Sequence, residues 1–223
     1  MTGCYCVIGC TRGTGLQIVR QLAARGARVR GVARDPVKAR ALLPAGVNVR
    51  AGDVTDPASL RRAGLGECRA IFFAVDITGG VGGRGFFEPE SRIREVTYQG
   101  VVNVVKVTKE TGFKGRFVLL SGMGSEFPSL TGCLLNAIKG NLQRIHRDRN
   151  DCLRKSGLDW SIGRGALLTD APGGWGEHSH HPAGSPPFGA VPPLAGGLRP
   201  RADRGSRCAV CIEADVRRLQ CAG

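Results

Sequence analysis

Aromatic residues are scarce in this 223-residue chain, at 5%, with two tryptophans and two tyrosines. A nucleic-acid binder that stacks bases needs aromatics set among dense basic runs. Lys and Arg outnumber Asp and Glu by 32 to 18, but they come one or two at a time, as in Arg20, Arg25, Arg28 and Arg30, so no nucleic-acid role is expected. Residues 1–150 carry 23 of the basic residues against 11 acidic ones, which places the excess in the part that reads as folded, where positive potential favours phosphorylated ligands. No uncharged apolar run reaches about 18 residues, so no membrane span is predicted. No basic stretch precedes the first apolar run, so no signal or transit peptide is read; the expected compartment is the cytoplasm, or an organelle if residues precede Met1. A lone Cys208-Ala209-Val210-Cys211, with His178, His180 and His181 upstream, lacks a second spaced pair, and no metal is expected there. Of the nine cysteines, Cys4, Cys6 and Cys10 fall on or beside a predicted buried strand and read as reduced, small apolar residues.

What the chain does have is alternation. Short β-branched or apolar runs at Cys4–Ile8, Arg28–Ala33, Val47–Ala51, Ala70–Val75, Arg116–Ser121 and Asp159–Ile162 are separated by segments of helical period, the pattern of a parallel sheet covered by helices. The clearest helix is Thr14–Arg25, where Leu16, Val19 and Leu22 make one apolar stripe; a second is read over Ser91–Thr111. The expected fold is α/β, a doubly wound, Rossmann-like parallel sheet in one domain over residues 1–171. Residues 172–223 read as an irregular segment, since 172–197 hold seven glycines and six prolines, with a short helix expected only at Ala209–Leu219.

The segment Gly9-Cys10-Thr11-Arg12-Gly13-Thr14-Gly15 lies between the first strand and the first helix with GxxxGxG spacing. A chain that turns sharply, brings its backbone close to a pyrophosphate and then presents the free amides of a helix start needs glycine at those places, so the segment predicts a dinucleotide site. An NAD site usually offers an acidic residue after the second strand. Here Arg34 stands there, able to meet a 2′-phosphate, and Arg12 adds a second cation, so NADP is expected over NAD. Asp35 either caps the helix that opens at Pro36 or serves the ribose.

These features, with Gly52-Asp53-Val54-Thr55-Asp56, Val96-Thr97-Tyr98-Gln99-Gly100 and Asn103, Phe117-Val118-Leu119-Leu120-Ser121 and Leu153-Arg154-Lys155-Ser156-Gly157-Leu158-Asp159-Trp160, make residues 4 to about 174 resemble the atypical short-chain dehydrogenase/reductases, in particular the NmrA-like and flavin (biliverdin) reductase-like group. The resemblance implies that Asp53 and Val54 meet the adenine, that Phe73, Ala74 and Val75 line the adenosine side, and that Ser121 faces the nicotinamide. The family's Arg-Pro-Gly step appears as Arg164-Gly165-Ala166, without the proline.

Many such relatives protonate a carbonyl with a tyrosine backed by a lysine four residues on. Neither tyrosine here, Tyr5 nor Tyr98, is followed at that spacing by lysine, and the two registers for the pair fall on Leu135 with Lys139 and on Leu142 with His146. The candidate catalytic groups are therefore Ser121 as a hydrogen-bond donor and His146 or Lys139 as its cationic partner. Two functions follow as expectations: hydride transfer to a flavin-like or other conjugated small molecule, with the pocket built by the segment after Asp170 along with the Gly79–Gly85 loop, or a non-catalytic NADP-binding redox sensor or assembly protein.

Overall fold

A computed structural model describes residues 3–77, 88–122 and 142–165, together with the backbone of 206–208. Lys139, Leu135, the Gly79–Gly85 loop, the 172–197 stretch and the helix expected at Ala209–Leu219 lie outside the described residues. The strands are β1 (Cys4–Ile8), β2 (Val29–Ala33), β3 (Asn48–Ala51), β4 (Cys68–Phe73), β5 (Arg116–Gly122), β6 (Asp159–Gly165) and the short β7 (Ser206–Cys208). All pair in parallel, in the order β3-β2-β1-β4-β5-β6-β7. The chain starts mid-sheet, winds outward to β3, returns to β4 beside β1 and winds the other way. The doubly wound, Rossmann-like fold is thus present, with its switch point between β1 and β4, where such sheets open a crevice beyond their C-terminal ends.

The helices are α1 (Gly13–Ala24), α2 (Pro36–Leu42), α3 (Pro57–Arg62), α4 (Glu90–Ile93), α5 (Gly100–Glu110) and α6 (Leu142–Arg154). Strand residues alternate between the two faces, as a period of two dictates. Tyr5, Val7, Phe72 and Val118 pack under Ile18, Val19 and Leu22 of α1 and Ala39 of α2. Cys6, Ile8, Phe73, Phe117 and Leu119 pack against Leu60 of α3, Val101 and Val104 of α5 and Leu153 of α6. Phe73 and Phe117 stack with ring centroids 6.4 Å apart at the middle of that second layer.

Three differences from the sequence reading have local causes. β4 ends at Phe73 rather than Val75, because after one further backbone bond, from Ala74 N to Ile8 O at 2.9 Å, the chain runs into the Gly9 turn. The helix read over Ser91–Thr111 is unbroken but passes through a π-helical turn, Arg94–Gln99, between α4 and α5. The strand β7 was not anticipated, since three residues are too few to show a period.

Candidate functional site

α2 and α3 both open on Asp-Pro. Asp35 Oδ1 accepts from the backbone amides of Val37 and Lys38, each at 3.0 Å, and Asp56 Oδ1 from that of Ala58 at 2.9 Å, while the proline that follows supplies the fixed φ of a first helical residue. Asp35 is therefore a helix cap, which settles the two roles the sequence left open for it. α1 is different. Its N-cap is Arg12, whose side chain accepts from none of the first amides, and, as in α2 and α3, its first turn contains no acidic residue. Over twelve residues this leaves the positive end of a helix dipole facing outward.

The glycines shape what lies in front of it. Gly9 sits at φ +86°, and a Cβ there would meet the Ala74 carbonyl carbon and oxygen and Val75 Cγ2, all at 2.9 Å. A Cβ on Gly15 would collide with the Gly9 carbonyl oxygen, so the strand and the helix touch backbone to backbone. Gly13, at φ +51°, has nothing within 4 Å of where its Cβ would stand. Thr11 and Thr14 are half-buried beside this opening, and Arg12 and Arg34 are exposed. Arg34 follows directly on β2, whose Val32 carbonyl accepts from Gly9 N at 3.3 Å. Uncapped amides, open space at Gly13 and two exposed guanidiniums fit a dinucleotide phosphate group.

The remaining expected cofactor residues fall less evenly. Asp53 is tied up in its own turn: Oδ1 accepts from Thr55 N at 2.9 Å and from Thr55 Oγ1 at 2.8 Å. Val54 is 6% exposed, its carbonyl accepts from Asn103 Nδ2 at 2.8 Å, and Gln99 Nε2 in turn donates to Asn103 Oδ1 at 3.1 Å. Ala74 and Val75 are half-buried against Gly9. The Phe73 ring is wholly buried in the core and stacked on Phe117, so its side chain supports the fold, and the first half-buried residues after β4 are Ala74 and Val75.

Beyond the C-terminal ends of β4 and β5 stands a second group of side chains. Asp76 follows β4 by three residues, and its carboxylate is held from three sides. His146 Nε2 lies 3.0 Å and Arg149 Nη1 3.8 Å from Oδ2, and Thr97 Oγ1 donates to Oδ1 at 3.5 Å. Arg149 is fully buried, and its Nη2 donates to Leu120 O at 3.2 Å and to Ser121 Oγ at 3.3 Å. Its Nε and Nη1 find no hydrogen-bond acceptor among the described residues. Thr97 reaches the group from the π-helical turn, an irregularity often found at functional sites.

Burial first, and the Arg149 charge second, push the His146 imidazole below its ordinary value, against the opposing pull of Asp76. Burial therefore disfavours the charged form of His146, the form its expected role as cationic partner of Ser121 requires. Burial also lowers Arg149, against the pull of Asp76, but an arginine keeps its charge in a protein, so the cation beside Ser121 is Arg149. The sequence reading missed Arg149, Asp76 and Thr97. The signal lay in α6, where the buried stripe Leu142, Ile145/His146, Arg149, Leu153 places an arginine at a core position.

Among the described residues no helix is long and apolar enough to cross a membrane. The sequence model of an NAD(P)H-binding family matches residues 9–190. The comparison with curated proteins gives no match. Among solved structures, triphenylmethane reductase from Citrobacter sp., complexed with NADP(H), is 23% identical with a TM-score of 0.57, over 75% of this chain and 50% of that one. The Escherichia coli NADPH-dependent quinone oxidoreductase QOR2, complexed with NADPH, is 20% identical with a TM-score of 0.55, over 72% and 48%. The enzyme WbmH from Bordetella bronchiseptica, in complex with NAD+, is 18% identical with a TM-score of 0.56, over 74% and 55%. This chain spans about half the length of each. Those likenesses are of fold. The family match starts at the first glycine of the turn in front of α1 and takes in most of the sequence, and by it the chain belongs to the NAD(P)H-binding family, a reductase-like group in keeping with its resemblance to the atypical short-chain dehydrogenase/reductases.

Proposed function

We propose that this protein binds NADP(H) in preference to NAD(H) and passes a hydride to a flavin-like or other conjugated small molecule without a tyrosine acid. The observation that carries the reading is the uncapped start of α1 behind Gly9, Gly13 and Gly15, with Arg12 and Arg34 exposed beside it. The amides of Gly13, Thr14 and Gly15 hold the pyrophosphate, Thr11 flanks it, and Arg12 and Arg34 take the 2′-phosphate. Ala74 and Val75 wall the adenosine, with Asp53 and Val54 presenting the β3 turn to the adenine. Reduced nicotinamide supplies the hydride.

Ser121 and Arg149 answer for the acceptor. Because Arg149 Nη2 donates to Ser121 Oγ, the serine oxygen serves as acceptor there and its own proton is left to donate toward an oxygen or nitrogen that gains negative charge. The nearby buried cation strengthens that donor in a low-dielectric site. The Citrobacter and E. coli proteins are named for a triphenylmethane and a quinone, and a quinone is a conjugated hydride acceptor of the class proposed here. A second reading, an NADP-binding redox sensor or assembly protein that turns nothing over, is favoured by the covered position of Ser121, which is 8% exposed.

The test is a fluorescence titration with NADPH and NADH of the wild type, Arg12→Ala/Arg34→Ala and Gly13→Asp. Hydrogen bonds to charged groups contribute about 1.5–3 kcal/mol each, so the double variant loses at least tenfold in NADPH affinity while NADH binding changes little. A carboxylate at position 13 abolishes both. Equal binding of both nucleotides, untouched by the arginine changes, overturns the cofactor assignment. NADPH oxidation with flavins or quinones then separates the enzyme from the sensor.

A further inference from the structure

The N-terminal ends of β1 and β4, at the edge of the sheet opposite the cofactor turn, hold a separate concentration of reactive groups. Cys4 and Cys68 are register partners on these adjacent strands, and the register slips just after them, so that Tyr5 pairs with Ala70. The two Sγ atoms stand 3.2 Å apart as free thiols. Neighbouring strands run about 4.8 Å apart, within the roughly 4.4–6.8 Å between Cα atoms that a disulfide spans. A cavity of about 380 Å³ opens at this edge, and Cys4, Arg28, Arg30 and Glu67 are among its lining residues. Cys4 is half-buried in the wall, whereas Cys68 is 5% exposed and sits behind it. Arg30 links Cys68 to Glu67, with Nη1 donating to Cys68 Sγ at 3.7 Å and Nη2 to Glu67 Oε2 at 3.1 Å.

We propose that Cys4 and Cys68 form a thiol–disulfide exchange site for an anionic low-molecular-weight disulfide of the glutathione kind. Cys4, as thiolate, attacks one sulfur of the small disulfide, forming a mixed disulfide and expelling one small thiolate, which takes up a proton. Cys68, as thiolate, then attacks Cys4 Sγ, closing the cross-strand bond and releasing the second small thiolate, which is protonated in turn. Two protein thiols are oxidised and one small disulfide is reduced to two thiols. Two arginines against one glutamate in the wall select a carboxylate-bearing partner over a neutral one. The order of attack follows from exposure, since only Cys4 lines the cavity.

The thiols are restrained. The hydrogen bond with Cys68 and then burial raise Cys4 far above an ordinary thiol. For Cys68 the hydrogen bond with Cys4 lowers the value, but the bond with Cys6 and burial outweigh it and leave it pushed up to about 12. Exchange at this pair is therefore slow at neutral pH and speeds up about tenfold per pH unit well past the value near 8.5 at which an ordinary thiol levels off.

The experiment treats the full chain with oxidised glutathione, traps remaining thiols by alkylation and maps disulfide-linked peptides by mass spectrometry. The expected product in the wild type is a peptide joining Cys4 to Cys68, and Cys68→Ser instead accumulates the glutathione adduct on Cys4. Neutral hydroxyethyl disulfide reacts several-fold more slowly at low salt, a gap that closes as salt rises and that Arg28→Ala reduces. A bridge from Cys6 to Cys68, or adducts on Cys152 with Cys4 and Cys68 untouched, overturns the site. Equal rates for the two oxidants at low salt overturn the anionic partner. None of these readouts depends on NADP(H) binding, so their failure leaves the cofactor reading standing.

Discussion

Replacing Asp76 by asparagine leaves the Arg149 guanidinium fully buried without its counter-charge. A unit pair 3.8 Å apart attracts by about 4 kcal/mol at an effective dielectric near 20. The Asp76 side chain is 31% exposed, so water screens part of this, and Asp76→Asn should cost about 2–3 kcal/mol. Arg149→Met removes the buried charge itself and fills its space with a chain of similar length, which for buried ion pairs is often neutral or stabilising. The two losses offset by that gain are the bonds to Leu120 O and Ser121 Oγ, of about 1 kcal/mol each. Removing the inner partner should therefore be cheaper than removing the outer one, and adding Arg149→Met to Asp76→Asn should restore most of the stability lost. Urea unfolding followed by circular dichroism measures all four members of the cycle, and in a thermal melt 2–3 kcal/mol corresponds to about 4–12 °C in Tm for a chain of this size. If Arg149→Met costs as much as Asp76→Asn, and the double variant loses the sum, the two charges are not coupled and the account of this cluster fails.

Gly15→Ala forces a side chain against the Gly9 carbonyl oxygen, whereas Gly13→Ala meets only the strain of a positive φ. The former should unfold at clearly lower urea and lose nucleotide binding, the latter should lose about 1–2 kcal/mol, and equal effects on stability would contradict the described contact. Asp35→Ala removes a cap that accepts from two amides and should destabilise by about 1 kcal/mol while leaving the NADPH-to-NADH ratio of affinities unchanged; a shifted ratio would return Asp35 to the ribose. Because His146 is held below its ordinary value in the folded state, the unfolded chain binds more protons between that lowered value and about 6.5. Stability should thus be complete above about pH 6.5 and decline as pH falls below it, and His146→Gln should remove that component from the pH profile of urea midpoints; an unchanged profile would place the imidazole in an unperturbed setting.

Much of the fold was written locally. Short apolar or β-branched runs marked β1, β2, β3 and β5 to within one residue at either end, because a strand buried between helix layers must be apolar along its own length, whereas β6 was read only to Ile162 and runs on to Gly165. The glycine turn was legible for a related reason: positive φ at Gly9 and Gly13 and the backbone contact at Gly15 are demands on single residues a few positions apart, and only glycine meets them. Asp35 could be read two ways until its carboxylate was seen on the amides of Val37 and Lys38. The cluster beyond β4 and β5 could not be read from the chain, since Asp76, Thr97, Ser121 and Arg149 lie tens of residues apart and share no pattern. They meet because β4 and β5 are neighbours in the sheet, the π-helical turn carries Thr97 toward Asp76, and α6 turns one face of its stripe onto the strand ends. The same holds for Cys4 and Cys68, 64 residues apart and joined by strand pairing. Periodicity and single-residue backbone demands are local properties that a sequence displays, whereas strand order and helix rotation are set by which apolar faces bury one another, and they alone decided which charges and thiols came within reach.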